Sequence, residues 1–181
     1  ADVGANLSCW VDAIVARVMK HDTLQQLKQA ASVPVVNTLC DLYHPCQALA
    51  DFMSLKELHG ELKGLTLAYI GDGNNVTHSL MLTGAQLGVN LVVITPKGHE
   101  VDANIAEQAQ KIAAENNATL VQANDFSKIS NVDVIYADTW ISTGDKTKLD
   151  DILKTFMPYQ ISTELMQQLN AKYFMHCQPA H

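Results

Sequence analysis

The sequence predicts an α/β protein built on a doubly wound parallel sheet, and three observations predict it. Short apolar, β-favouring runs alternate with longer segments of helical apolar periodicity. One run, at 65–70, leads straight into Gly71-Asp72-Gly73 and then a helix, placing a tight turn at a strand's carboxyl end, where open α/β sheets bind ligands. The composition is globular, with 48% apolar and 17% charged residues over 181 positions, enough for one well-cored domain or one domain with part of another.

In chain order, residues 11–18 (VDAIVARV) read as a buried strand with Arg17 near its carboxyl end. A helix is expected over 22–31, with Asp22 or Thr23 as N-cap and Leu24 and Leu27 on its apolar side. Residues 33–37 form a short strand with Pro34 at its start, where a missing N–H is tolerated. Strand, helix and strand make one crossover unit. A further helix opens at Pro45, whose lack of an N–H costs nothing at the first helical position. His44 and Gln47 flank that amino end, where free N–H groups favour an anion or a polarised carbonyl oxygen. Simple capping is the plain alternative, and Arg17 tips the balance toward a phosphate or carbamoyl site. The polar stretch 57–63 then sets a domain boundary, dividing 1–58 from 59–181.

Beyond it, strands are expected at 65–70, 91–94, 119–122, 133–137 and 173–176. Helices are expected at 76–87, 102–116, 125–130, 148–155 and 162–169. Asn74, Asn75, His78 and Ser79 put more hydrogen-bonding groups after the first strand than a turn needs. The glycines there sit where a dinucleotide fingerprint would, but the third glycine position holds Val76. The next strand ends in Thr95-Pro96-Lys97, with no acid for a ribose. A nicotinamide or flavin site is therefore only a runner-up, and no cofactor is expected. Two later strand ends also carry polar groups, one at Asp138 through Gly144 and one at His176-Cys177-Gln178-Pro179. Taken singly, Asp138 is a turn cap and Cys177 a small buried thiol. Three such ends converging on one sheet edge read as a site.

The net charge of -7 disfavours nucleic acid or an anionic membrane as a partner. No apolar run approaches the roughly 18 residues of a membrane helix. The four cysteines are scattered, with neither a CxxC pair nor metal-finger spacing, so reduced thiols in a cytoplasmic protein without a metal are expected. Both ends, Ala1-Asp2-Val3-Gly4 and Pro179-Ala180-His181, look cut.

His44-Pro45-Cys46-Gln47, Gly71-Asp72-Gly73-Asn74-Asn75 with His78-Ser79, Asp138-Thr139-Trp140-Ile141-Ser142 and His176-Cys177-Gln178-Pro179 resemble, in order and spacing, the motifs of the ornithine carbamoyltransferases. The resemblance runs over essentially the whole chain. It implies a carbamoyl-phosphate domain, of which 1–58 is the C-terminal part, an ornithine domain at 59–181, a cleft between them, and a homotrimer for the full-length protein. It implies that Arg17 and His44 lie near the carbonyl oxygen of carbamoyl phosphate. Gln47 and the backbone carbonyls of Cys177 and Gln178 then lie near its amino group. Asn75, Asp138, Ser142 and Thr143 are implied on the ornithine side, with Asp138 on the α-ammonium and Cys177 beside the reacting amine. The implied catalytic set is Cys177, Asp138, Arg17 and His44, and the implied products are L-citrulline and phosphate.

Thr143 stands where the family usually has Met, and Gln178 where it usually has Leu. The family's Ser-Thr-Arg-Thr phosphate loop and its final segment fall outside the chain, so this stretch alone is expected to turn over slowly or not at all. A carbamoyltransferase for another amine such as putrescine, or a non-catalytic binding module, are the alternatives. Asp138 and Ser142 favour an amino acid, because a diamine would leave them without partners.

Overall fold

The computed structural model describes residues 2–140 and 147–178. The first unit comprises α1 (Asp2–Leu7), β1 (Ile14–Arg17), α2 (His21–Ala30), β2 (Val35–Leu39) and α3 (Pro45–His59). β1 and β2 pair in parallel, with a register shift between Ala16 and Arg17. β1 is shorter than the expected 11–18, whereas β2 keeps the expected length but lies two positions further along, beginning one residue beyond Pro34. The expected capping of α2 by Asp22 or Thr23 is also corrected. The helix starts at His21, and its first free N–H groups are met from a distance, as the His21 N–H donates to Asp41 Oδ1 at 2.8 Å. That bond, with Lys20 beside it, holds the Asp41 carboxyl below the usual carboxylate range. A residue close in space has taken the place of a local cap.

α3 opens on Pro45 as expected, but it extends to His59, so the polar 57–63 stretch begins inside a helix. Its buried residues Ala48, Phe52 and Leu55 recur at helical spacing and turn toward the second unit.

That unit comprises β3 (Thr66–Ile70), α4 (Asn75–Gln86), β4 (Asn90–Ile94), α5 (Ala103–Glu115), β5 (Leu120–Ala123), β6 (Val134–Ala137), α6 (Leu149–Phe156), α7 (Thr163–Gln168) and β7 (Tyr173–His176). The helix expected at 125–130 is only a 3₁₀ turn at Phe126–Lys128, initiated by the Asp125 side chain on the Ser127 N–H. The strands lie in the order β5-β4-β3-β6-β7, each parallel to its neighbours. β3, β4 and β6 are almost wholly buried because helices cover both faces, and their sequences are apolar runs rather than alternations. One face packs Leu67, Leu91 and Val134 with α3, α4 and α5, and the other packs Ala68, Ile94 and Ile135 with Leu169. Gly84 lets α3 approach α4, since a Cβ there would come within 3.0 Å of both Phe52 and Leu91. The chain moves outward from β3 through β4 to β5, then returns to β6 on the other side of β3. The carboxyl ends of β3 and β6 thus flank the reversal point, where this sheet type forms its binding crevice.

Candidate active site

Register alone brings three sequence-predicted strand ends together. Ile70 pairs with Ala137 and Ala137 with His176, so Gly71, Asp138 and Cys177 emerge side by side. Gly71 adopts φ 157°, and a Cβ on it would sit 2.8 Å from the Asp138 Cβ, so glycine is what allows the two ends to close up. Gly73 answers a different constraint. Its N–H donates to the His99 carbonyl at 2.9 Å, and a Cβ would lie 2.5 Å from the backbone of Glu100 and Val101.

Asp138 is the centre of the cluster and is only 7% exposed. Its Oδ1 accepts from the Cys177 thiol at 3.2 Å, and its Oδ2 accepts from the Asn74 Nδ2. Burial pushes the Asp138 carboxyl above its usual range, while hydrogen bonds from Cys177, the Thr139 backbone and Asn74, and the nearby Tyr69 hydroxyl, pull the other way. Burial, followed by the neighbouring Asp138 charge, pushes Cys177 up to about 12. At neutral pH Cys177 is thus a thiol donating to Asp138, and not a thiolate nucleophile. Tyr69 lies beneath, stacked on Tyr136 at 5.9 Å, with its hydroxyl donating to the Asp72 carbonyl at 2.7 Å.

Asn74 was not singled out by the sequence as a partner of Asp138. Its Oδ1 caps α4 by accepting from the Val76 and Thr77 N–H groups, which turns its Nδ2 toward Asp138. The available signal was its place before an apolar helix. Asn75, expected on the substrate side, donates from Nδ2 to the Cys40 carbonyl at 2.6 Å.

That bond belongs to a set. Asn75, His78 and Ser79 share one face of α4 by their i, i+3 and i+4 spacing, and each bonds the 40–44 segment. His78 Nδ1 lies 2.8 Å from the Leu42 carbonyl, and the His44 N–H donates to Ser79 Oγ at 2.8 Å. His78 Nε2 accepts from the Asp102 N–H at 3.3 Å, which assigns the proton to Nδ1. The polar density noted after β3 is therefore a seam joining the two units, and it fixes the start of α3 against the start of α4.

At that start, burial and the nearby Arg17 charge hold the His44 imidazole below its usual range, so it is neutral at pH 7. Its Nδ1 is buried without a hydrogen-bond partner. Arg17 is exposed at the end of β1. Gln47 occupies the first turn of α3, where its Nε2 donates to Asp51 Oδ1 at 2.9 Å. The structure thus sets Arg17 beside His44, puts Gln47 in the first turn of the helix that follows His44, and pairs Asp138 with Cys177. Gln178 follows Cys177, whose carbonyl lies 2.9 Å from His176 Nδ1. Ser142 and Thr143 lie outside the described residues. Among the described residues, no group of three His, Cys, Asp or Glu side chains is arranged to hold a metal.

Comparison with known proteins gives this geometry its family. A model described as "Aspartate/ornithine carbamoyltransferase, Asp/Orn binding domain" matches residues 63–181, and its companion for the carbamoyl-P binding domain matches 1–57. The chain belongs to the aspartate/ornithine carbamoyltransferase family. It is 52% identical over 180 residues to the ornithine carbamoyltransferase of Moritella profunda, covering 99% of this chain and 60% of that protein. The protein of the same name from Shewanella oneidensis is 50% identical, covering 100% of this chain and 60% of the relative. Among solved structures, the ornithine carbamoyltransferase from Pyrococcus furiosus superposes with a TM-score of 0.93 at 44% identity, covering 99% of this chain and 58% of that one. The chain therefore spans about 60% of the length of the curated carbamoyltransferases it matches.

Proposed function

We propose that the full-length protein transfers the carbamoyl group of carbamoyl phosphate to the δ-amine of L-ornithine, giving L-citrulline and phosphate. The observation that carries this reading is the buried Asp138 carboxylate with its thiol and amide donors. Asn74 at the start of α4 bonds Asp138, and the rest of the same helix turn bonds the segment leading into His44. Two groups suited to different substrates thus meet at one helix end.

In this reading Arg17 and His44 donate to the carbonyl oxygen as negative charge grows there, an effect worth on the order of 10²- to 10³-fold per donor. Gln47 and the Cys177 and Gln178 backbone carbonyls face the carbamoyl amino group. Asp138 accepts from the α-ammonium of ornithine using a lone pair that Cys177, Asn74 and the Thr139 N–H leave open, since a carboxylate has about four acceptor sites. Asn75, with Nδ2 committed to Cys40, offers Oδ1 to the same substrate, and Ser142 and Thr143 complete that side. The neutral amine forms the new N–C bond, the C–O bond to phosphate breaks, its electron pair leaves on phosphate, and the nitrogen gives one proton to the departing phosphate. Cys177 orients the amine as a thiol through Asp138 and forms no covalent intermediate.

The domain boundary is placed at 58/59, which the separate family matches to 1–57 and 63–181 support. A homotrimer in the cytoplasm, serving arginine biosynthesis, is part of the same proposal and is supported by family membership. Among the described residues no helix is long and apolar enough to cross a membrane. The 181-residue stretch alone is proposed to turn over slowly or not at all, because it spans about 60% of its relatives' length. The test is a ureido-product assay on the full-length protein with carbamoyl phosphate and ornithine, putrescine, lysine or aspartate. Citrulline from ornithine, far ahead of the other products, is the expected result, and preference for any other amine refutes the reading.

A further inference from the structure

Asp51 lies one helical turn beyond Gln47 on α3 and is 6% exposed. Its Oδ1 accepts from Gln47 Nε2 at 2.9 Å. Its Oδ2 is buried without a partner of ordinary geometry, as is the Tyr136 hydroxyl on β6. The two lie close enough that the hydroxyl acts on the carboxyl, pulling its pKa down against the larger upward push of burial. A carboxyl group in such a place costs stability, and an i, i+4 contact repays only a few tenths of a kcal/mol on a helix.

The placement has a chemical consequence for Gln47. An amide side chain has a donor end and an acceptor end of nearly equal shape, and a carboxylate oxygen takes the donor end. With Nε2 held by Asp51, Oε1 is the end of Gln47 left for a ligand. A carbamoyl group differs from an acetyl group in carrying N–H donors where acetyl carries a methyl. An amide fixed with its oxygen outward distinguishes the two, whereas one free to flip presents N–H to N–H half the time.

We propose that Asp51 is a positioning residue that pins the Gln47 amide with Oε1 presented to the substrate, so that the site selects carbamoyl phosphate over acetyl phosphate by its amino group. The inference rests on the proposed carbamoyl-transfer reading. It adds a residue that touches no substrate and a basis for discrimination.

The test uses the full-length enzyme with carbamoyl phosphate as substrate and acetyl phosphate as a competitive inhibitor. In Asp51→Ala the KM for carbamoyl phosphate rises about tenfold, the worth of one oriented hydrogen bond, while the acetyl phosphate Ki and the ornithine KM stay within about twofold. Asp51→Asn, which keeps an oxygen for Gln47 but can also turn its NH₂ to Oε1, restores the ratio of the two affinities only in part. Gln47→Met loses the ratio as fully as Asp51→Ala, and the double variant loses no more. Equal weakening of both acyl phosphates in Asp51→Ala marks a merely structural role and overturns the proposal. If Asp51→Ala does not fold, complete loss of the ratio in Asp51→Asn, or its retention in Gln47→Met, overturns it. Failure of the wild-type enzyme to make citrulline would instead defeat the functional reading beneath it.

Discussion

Replacing Asp138 by Asn removes one charge from the centre of the site with almost no change of shape. Asn74 cannot turn to accommodate the new group, because its Oδ1 is held by the Val76 and Thr77 N–H groups. The oxygen of the new amide must therefore face Asn74, and its NH₂ meets the Cys177 thiol, whose S–H rotates away. What is lost is a charge-assisted hydrogen bond to the substrate ammonium in a site where the carboxylate is 7% exposed. Such a bond is worth about 1.5–3 kcal/mol, or roughly 10- to 150-fold in kcat/KM for ornithine. Steady-state citrulline assays on the full-length enzyme, with each substrate varied in turn, read the effect. The ornithine dependence should weaken by that factor while the carbamoyl phosphate KM moves less than about twofold. Unchanged ornithine dependence, or equal loss toward both substrates, refutes the assignment. The pH dependence provides a second check. Burial raises the folded Asp138 pKa above its ordinary value of 3.8, so the folded state holds this proton more tightly than the unfolded chain. Relative to Asp138→Asn, the wild type without substrate thus loses stability as pH rises from 3.8 through the raised value, and thermal melts of both proteins across that range give the sign.

Three further outcomes follow from contacts around the site. Gly73→Ala drives a Cβ to 2.5 Å from the backbone of Glu100 and Val101, and should cost about 1–3 kcal/mol together with ornithine affinity. A melting temperature equal to the wild type's would contradict it. His78→Phe strips partners from the Leu42 carbonyl and the Asp102 N–H, and should cost about 2–4 kcal/mol, read as a lower midpoint in urea. A midpoint that does not move would show the seam to be dispensable. Because Cys177 is pushed up to about 12, iodoacetamide at pH 8 should label exposed Cys9 and Cys46 well before it. Peptide mapping that finds Cys177 labelled at the same rate would remove the thiol–carboxylate pair.

Much of the architecture was already legible as periodicity. The buried runs of β3, β4 and β6 and the alternation of strands with helices are local patterns of burial, and a doubly wound sheet follows from them. The start of α3 at Pro45 was legible because proline limits its own backbone. That Gly71, Asp138 and Cys177 share an edge followed from the same alternation, since parallel strands bring like ends together.

Local pattern along the chain thus specified the sheet, the strand ends that meet, and the residue types at those ends. Which neighbour each polar side chain takes was settled by packing in three dimensions. Asn74 and Asn75 are adjacent and chemically identical, yet one bonds Asp138, 64 residues away, and the other bonds Cys40, 35 residues away. Asp41 caps α2 from 20 residues away, and His78 joins loops on both sides of it. The reason is physical: burial follows a period of two or 3.6 residues that a short window carries, whereas a hydrogen bond depends on distances of about 3 Å between segments that only folding brings together.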